Sequence, residues 1–100
     1  YEGGMKFTEG LAGVCKDGKW GFINKDNEVI IPFEYDDAWG FSEGLAKVKK
    51  AGKYGFIDKT GKVVIPLKYS WAESFSDGSA YVEKGGKKGT VDKNGVFTPN

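Results

Sequence analysis

The sequence predicts an all-β protein built from tandem repeats, and three observations support this prediction. First, the chain repeats itself with a period of 34 residues, in copies that start at Phe7, Phe41 and Phe75. Second, turn signals divide each copy into segments of only four to seven residues, which are too short for paired helices. Third, these segments are rich in Val, Ile, Phe, Trp and Tyr, which favour strands.

Three copies and part of a fourth account for the whole chain. The first copy spans 7–40 and the second spans 41–74, and 18 of their 34 aligned positions are identical. The third copy, 75–100, keeps the glycines but has lost several apolar positions. Residues 1–6 align with the end of a repeat, so we expect them to be the tail of a preceding copy in a longer array.

Each copy is predicted to contain three antiparallel strands joined by tight turns. The first turn of the first copy is Asp17 followed by Gly18, a strong hairpin signal. The second turn ends at Asn27, where the later copies have glycine, and both residues accept a left-handed backbone. Pro32 is expected to close the third strand, because proline cannot donate to a strand ladder. In the first copy the strands are predicted over roughly 10–16, 19–24 and 28–32.

Positions that stay constant between copies indicate the core. Ala12 and Val14 in the first strand recur unchanged in both later copies, so we expect them to face the core. Gly21 also recurs unchanged, inside the second strand, where glycine costs stability. We therefore expect another backbone or an aromatic ring to approach this glycine closely. The copies would stack as an open solenoid-like or propeller-like array, and the sequence leaves both possibilities open.

The third copy is expected to act as a degenerate C-terminal cap. Trp20 and Phe22 of the first copy become Lys88 and Thr90 in the third. A terminal repeat needs such a polar face, because nothing stacks beyond it. We therefore expect Asn100 to lie at or near the natural C-terminus of the array.

The second strand carries a family resemblance. It reads Lys-Trp-Gly-Phe-Ile at 19–23 and Lys-Tyr-Gly-Phe-Ile at 53–57, and a Val-Ile-Ile-Pro or Val-Val-Ile-Pro segment and a tyrosine, Tyr35 or Tyr69, follow. The chain resembles the WG repeat (KWG repeat) family over essentially its whole length, although Lys88 replaces the aromatic residue in the third copy. The resemblance implies a bacterial β-repeat protein with an interaction or scaffolding role, often at the cell surface or secreted.

The composition excludes most catalytic chemistry. The chain has no histidine and no arginine, and Cys15 is its single cysteine. These counts remove Cys/His zinc sites, catalytic pairs that use histidine, and a disulfide within the chain. The net charge is +1, and no apolar segment approaches the roughly 20 residues that span a bilayer. We predict a protein that is not an enzyme, uses no cofactor or metal, and inserts no segment into a membrane.

Repeated charged residues have ordinary structural interpretations. Glu9 recurs as Glu43 and Asp77, each before a glycine, and we expect turn corners here rather than acid/base or calcium groups. Lys47, together with the lysines that follow it at 49 and 50, predicts a basic stripe on a solvated outer face that resists aggregation. Without arginine and with acids interleaved, this stripe does not indicate nucleic-acid binding.

Positions that break the repeat are better functional candidates. The connector between copies reads Tyr-Asp-Asp-Ala-Trp at 35–39 and Tyr-Ser-Trp-Ala-Glu at 69–73, so its tryptophan is displaced by two positions. Tryptophan beside carboxylates suits a protein-binding hot spot or stacking on a sugar ring, and it can equally fill the seam between repeats. The predicted partner-binding residues are Asp36, Asp37, Trp39, Trp71, Glu73 and Tyr81.

Two functions follow from these candidates. The leading hypothesis is a non-catalytic protein-interaction or scaffold module, a segment or subunit of a bacterial surface or secreted assembly with a protein partner. The alternative is a glycan-binding module that uses Trp39, Trp71 and Tyr81. The resemblance favours the bacterial cell envelope or the extracellular space as its location.

Overall fold

The computed structural model describes residues 3–100, and these fold into three antiparallel sheets of four strands each. Within each sheet the strands lie side by side in chain order. Sheet 1 consists of β1 (Gly3–Gly4), β2 (Ala12–Lys16), β3 (Lys19–Ile23) and β4 (Val29–Tyr35). Sheet 2 consists of β5 (Asp37–Ser42), β6 (Leu45–Lys50), β7 (Lys53–Asp58) and β8 (Val63–Tyr69). Sheet 3 consists of β9 (Trp71–Ala72), β10 (Ser79–Lys84), β11 (Lys87–Asp92) and β12 (Phe97–Pro99).

The all-β repeat fold is confirmed, and each sheet has one strand more than the sequence predicted. The extra strand comes from the connector: β5 pairs antiparallel with β6, placing Asp37 opposite Lys49 and Ser42 opposite Leu45. β9 takes the same place in sheet 3, and β1 takes it in sheet 1. Residues 1 and 2 of the predicted N-terminal tail lie outside the described residues. Each sheet therefore combines the end of one copy with three strands of the next.

The third strand continues past its proline, so the prediction that Pro32 closes it was wrong. β4 runs from Val29 to Tyr35, and Pro32 follows the pairing of Phe22 with Ile31. The register between β3 and β4 shifts immediately beyond that pair. At such a bulge a residue is not required to donate to the ladder, so the strand tolerates proline. β8 repeats this arrangement.

Both turns contain residues with left-handed backbone geometry, which the sequence predicted for the second turn. Asp17 and Gly18 have φ values of 53° and 79°, as a two-residue hairpin with positive φ at both central positions requires. In the second turn the Asn27 N–H donates to the Asn24 carbonyl at 3.0 Å, and Asn27 has a φ of 63°. The turn residues therefore fix the register of the repeat.

The sheets pack on one another in an elongated open stack of 41 × 25 × 19 Å. Two neighbouring residues of β7 pack on opposite faces of sheet 2. Ile57 packs with Phe22 and Ile31 between sheets 1 and 2, and we call this interface the first seam. Phe56 packs with Phe75 between sheets 2 and 3, which we call the second seam. Sheet 2 is thus buried on both faces.

The predicted core positions and the predicted close approach at glycine are confirmed. Ala12 and Val14 are buried, as are their counterparts in the later copies. Gly55 is the counterpart of Gly21 in the second copy. A Cβ atom on Gly55 would lie 2.6 Å from the Ile65 carbonyl oxygen and 2.8 Å from the Leu67 Cα. The β8 backbone therefore leaves no space for a side chain there. In the third copy Lys88 is exposed, and its role in a cap stays a prediction.

Candidate functional site

A lysine surrounded by aromatic rings lies in the second seam. Lys47 on β6 is only 8% exposed, and its Nζ atom lies 4.2 Å from the centre of the Trp39 ring. The ring centres of Tyr54 and Trp71 are each 5.6 Å from the same atom. Lys47 also donates a hydrogen bond of 3.0 Å to the Ala72 carbonyl. We call these five residues the Lys47 cluster.

Four strands of two sheets build the Lys47 cluster. Trp39 lies on β5 at the irregularity in its pairing with β6, and Tyr54 lies on β7. Trp71 and Ala72 form β9 in the neighbouring sheet. The ring centres of Trp39 and Tyr54 are 5.6 Å apart, and those of Tyr54 and Trp71 are 5.7 Å apart with an edge-on angle of 64°. The displaced connector tryptophans therefore approach one cation from two sheets.

The burial of Lys47 corrects the prediction of a solvated basic stripe at this position. Lys47 stands opposite Phe56 in the β6–β7 pair, so its side chain shares the face that packs on sheet 3. Burial lowers the pKa of Lys47, and the Glu73 carboxylate partly opposes this change. The ring faces and the Ala72 carbonyl compensate the lost hydration of the ammonium group.

The structure brings three of the six predicted site residues together. Trp39 and Trp71 are rings of the Lys47 cluster, and the Glu73 charge acts on its lysine. Trp39 is half-buried against the core of the second seam, which fits the seam-filling interpretation. Trp71 differs, because it is 43% exposed at the edge of the same cluster. A partner can therefore reach Trp71 directly.

Asp36 has a structural position away from the Lys47 cluster. Its carboxylate accepts a hydrogen bond from the Lys19 Nζ atom on β3 and another of 2.9 Å from the Ala51 N–H in the turn after β6. These bonds, that from Lys19 above all, hold the pKa of Asp36 below its usual value. Asp36 thus joins sheets 1 and 2. Its neighbour Asp37 is exposed at the start of β5, opposite Lys49.

Tyr81 forms its side-chain hydrogen bond within its own strand. Its hydroxyl donates to the Glu83 carboxylate at 2.8 Å, and this bond is the main reason why the pKa of Tyr81 is raised. Its backbone carbonyl accepts from the Glu73 N–H at 2.9 Å. The hydroxyl is therefore already engaged in the free chain.

Within residues 3–100 no group of three or more His, Cys, Asp or Glu side chains is arranged to hold a metal ion. In the same part of the chain no helix is long and apolar enough to cross a membrane.

The repeat is shared with a known family. The family model of the WG containing repeat matches residues 1–20, 20–54 and 54–87 in succession. The chain belongs to this family. Comparisons with curated proteins and with solved structures found no match.

Within this WG repeat protein, the motif aromatic residues occupy the seams. Tyr54, the motif residue of the second copy, is a wall of the Lys47 cluster. In the first copy the corresponding Trp20 lies beside Gly13, the counterpart of Lys47. A Cβ atom on Gly13 would be 2.1 Å from the Met5 Cε, so a methionine fills the space that a lysine fills in the second seam.

Sequence reasoning missed Lys47 and Tyr54 as site residues. A signal for Lys47 was present, because its position carries Gly13 in the first copy and Tyr81 in the third, so it breaks the repeat as the tryptophans do. Tyr54 gave no such signal, because it occupies the aromatic position of the WG motif and so does not break the repeat.

Proposed function

We propose that this WG repeat chain is a non-catalytic protein-interaction or scaffold module, a segment or subunit of a bacterial surface or secreted assembly, and that a protein partner docks on Trp71. The observation that carries this proposal is the 43% exposure of Trp71 on a support of packed residues. Tryptophan is among the residues most enriched in binding hot spots.

The packing of the Trp71 ring against its neighbours also favours this proposal. Its ring packs edge-on against Tyr54, and the Lys47 ammonium group lies 5.6 Å from the ring centre. A side chain held in this way loses little conformational freedom when a partner covers it, so more of the contact energy remains for binding.

The test compares two aromatic residues of equal exposure. Phe7 is also 43% exposed but lies outside the Lys47 cluster, so Phe7→Ala is a matched control for Trp71→Ala. The immobilised chain is used to capture proteins from envelope and secreted fractions of the source organism. Each captured protein is then purified and titrated calorimetrically against the unmodified chain and both variants.

We expect one protein to bind in near-equal amount and to lose at least about tenfold in affinity with Trp71→Ala, as for a hot-spot residue. Phe7→Ala should leave the affinity unchanged. Equal affinity for the unmodified chain and Trp71→Ala would reject Trp71 as the docking residue. Failure of every purified candidate to bind would reject the interaction module itself.

Glycan binding is the second candidate function, and the exposed ring of Trp71 supports it too. The other two aromatic residues support it less. The Trp39 ring already has the Lys47 ammonium group 4.2 Å from its centre, and the Tyr81 hydroxyl donates to Glu83. Saturable binding on a glycan array that Trp71→Ala removes, with the fold intact, would favour this function over a protein partner.

A further inference from the structure

A positively charged cleft lies in the second seam, on residues that the proposed function does not use. It has a volume of about 200 Å³ and is lined by Lys68, Tyr69, Lys84, Lys87 and Phe97. We call it the three-lysine cleft. Two aromatic side chains line it together with three lysines, and no carboxylate does. Among the described residues, none of the three lysines forms an ion pair.

Two of these lysines face each other across a hairpin. Lys84 and Lys87 are the last pair of the β10–β11 ladder, on either side of the Gly85–Gly86 turn. Like charges directly opposite in a sheet repel each other, so this pair costs stability when no anion is near.

The repeat supplies an internal comparison for this cleft. One period earlier, in the first seam, the position of Lys68 is occupied by Glu34 and that of Phe97 by Val63. Burial, followed by the charge of the adjacent Glu34 carboxylate, raises the pKa of Tyr35 to about 12. Relative to the first seam, the second has therefore exchanged a negative charge for a positive one and gained an aromatic ring.

A second carboxylate has also been lost. Asp36 accepts hydrogen bonds from Lys19 and from the Ala51 N–H in the first seam. Its counterpart is Ser70, whose hydroxyl donates to the Glu83 carbonyl at 3.0 Å. A serine in this role cannot replace a carboxylate as the partner of an ammonium group and an amide.

The donors that Asp36 satisfies in the first seam are retained in the second. The counterpart of Lys19 is Lys53, and that of Ala51 is Gly85, which lies between the two cleft lysines. Gly85 has a φ of 56°, nearly the 55° of Ala51, so the two turns have similar backbone geometry at this position. The second seam thus retains the Gly85 amide and Lys53, but it has Ser70 where the first seam has the Asp36 carboxylate.

We propose that the three-lysine cleft binds a ligand that carries a carboxylate next to an aromatic or apolar group. By repeat equivalence the carboxylate takes the place that the Asp36 side chain holds in the first seam, next to the Gly85 amide, and Lys84, which precedes Gly85 in the chain, lines the cleft. The apolar group packs against Tyr69 and Phe97. This proposal is independent of the proposed docking on Trp71.

The test is a titration followed by the backbone amide resonances of the whole chain. The probe is 3-phenylpropionate, and its neutral amide, 3-phenylpropionamide, is the matched compound without charge. We expect the Gly85 and Lys87 resonances to shift saturably with the carboxylate and not with the amide, while Ala51 in the first seam stays unchanged. Equal shifts with sodium chloride at the same ionic strength would reduce the effect to general screening and overturn the proposal.

A designed substitution tests the internal comparison directly. Ser70→Asp restores the acid of the first seam, so we expect it to occupy the donors and weaken binding by about tenfold or more, the equivalent of one charge-assisted hydrogen bond. Ser70→Asn has a similar size without the charge and should bind like the unmodified chain. Unchanged binding by Ser70→Asp, or a lower denaturation midpoint for it than for Ser70→Asn, would overturn the proposal.

The source of the carboxylate is resolved by a second arm. An acetylated and amidated peptide with an internal Glu-Phe pair presents a side-chain carboxylate, whereas 3-phenylpropionate represents a free small acid. Saturable shifts of Gly85 with the peptide assign the cleft to acidic segments of proteins, and shifts with 3-phenylpropionate alone assign it to small acids. If neither probe shifts Gly85 saturably, the cleft is not a carboxylate site.

Discussion

The carboxylate of Glu9 accepts a hydrogen bond of 3.0 Å from the N–H of Gly44, which lies in the equivalent turn of the next repeat. Glu43 makes the same bond to Gly78 at 2.9 Å. The φ values of Glu9 and Glu43, 51° and 56°, confirm the turn corners that the sequence predicted. The bond to the next repeat was not predicted, and it joins one sheet to the next because a carboxylate accepts strongly from an amide.

We expect Glu43→Ala to lower the free energy of unfolding by about 1.5 to 3 kcal/mol, the usual effect of losing a hydrogen bond to a charged group. Urea denaturation of the whole chain measures this change. Asp77→Ala is the control, because Asp77 has a matching turn φ of 54° and the substitution removes neither inter-repeat bond. Equal destabilisation by both substitutions would assign the effect to the turn and not to the contact between sheets.

The glycine of the WG motif gives a second prediction. At Gly55 a new Cβ atom would meet the Ile65 and Leu67 backbone, so we expect Gly55→Ala to cost about 1 to 3 kcal/mol, as overpacking does. Gly4→Ala is the matched strand control, because its nearest neighbour would be the Val14 Cγ1 at an ordinary 3.6 Å. If the two variants have the same denaturation midpoint, close backbone approach does not explain the motif glycine.

The two tryptophans of the Lys47 cluster should differ in their effect on stability. Trp39 packs on the core of the second seam and lies nearest to the Lys47 ammonium group, whereas Trp71 is 43% exposed. We expect Trp39→Ala to cost about 3 kcal/mol, near the lower end for a buried aromatic residue, and Trp71→Ala to cost clearly less. Differential scanning calorimetry measures both. A larger loss for Trp71→Ala would contradict this assignment of roles.

The fold was largely predictable from the sequence because repetition reveals local rules. Asp17–Gly18 and Asn27 specify turns through their backbone preferences, and the constant Ala12 and Val14 mark a core face. The strand at Asp37–Ser42 was missed for a physical reason. Its pairing is irregular between Ala38 and Phe41, so the side chains do not alternate in the way that identifies a strand.

The candidate site was only partly predictable, because it depends on which sheets meet. The sequence identified Trp39 and Trp71 as unusual, but only the packing of sheet 3 on sheet 2 brings both to Lys47. Lysine at an alternating strand position normally indicates solvent, and its burial here requires ring faces from a neighbouring sheet. Similarly, Asp36 was predicted to bind a partner, whereas its carboxylate is engaged by Lys19 and Ala51.

The contacts of Asp36 predict how stability changes in acid. Lys19 and the Ala51 N–H hold the pKa of this carboxyl in the folded chain below its usual value, whereas in the unfolded chain it titrates near the ordinary value of about 3.9. Between these two pKa values the unfolded chain binds more protons, so the stabilisation is present above about pH 4 and is lost as the pH falls through the pKa of the folded state.

We therefore expect Asp36→Asn to lower the urea midpoint at pH 7, and we expect its difference from the unmodified chain to shrink below about pH 4 and to close as the pH falls through the lowered pKa of Asp36 in the folded chain. Asp37→Asn removes the neighbouring carboxylate, which makes neither bond, so its difference at pH 7 should be smaller. Urea midpoints measured from pH 2 to pH 7 decide between these outcomes. A constant difference for Asp36→Asn down to pH 2 would mean that its charge does not stabilise the contact between sheets 1 and 2.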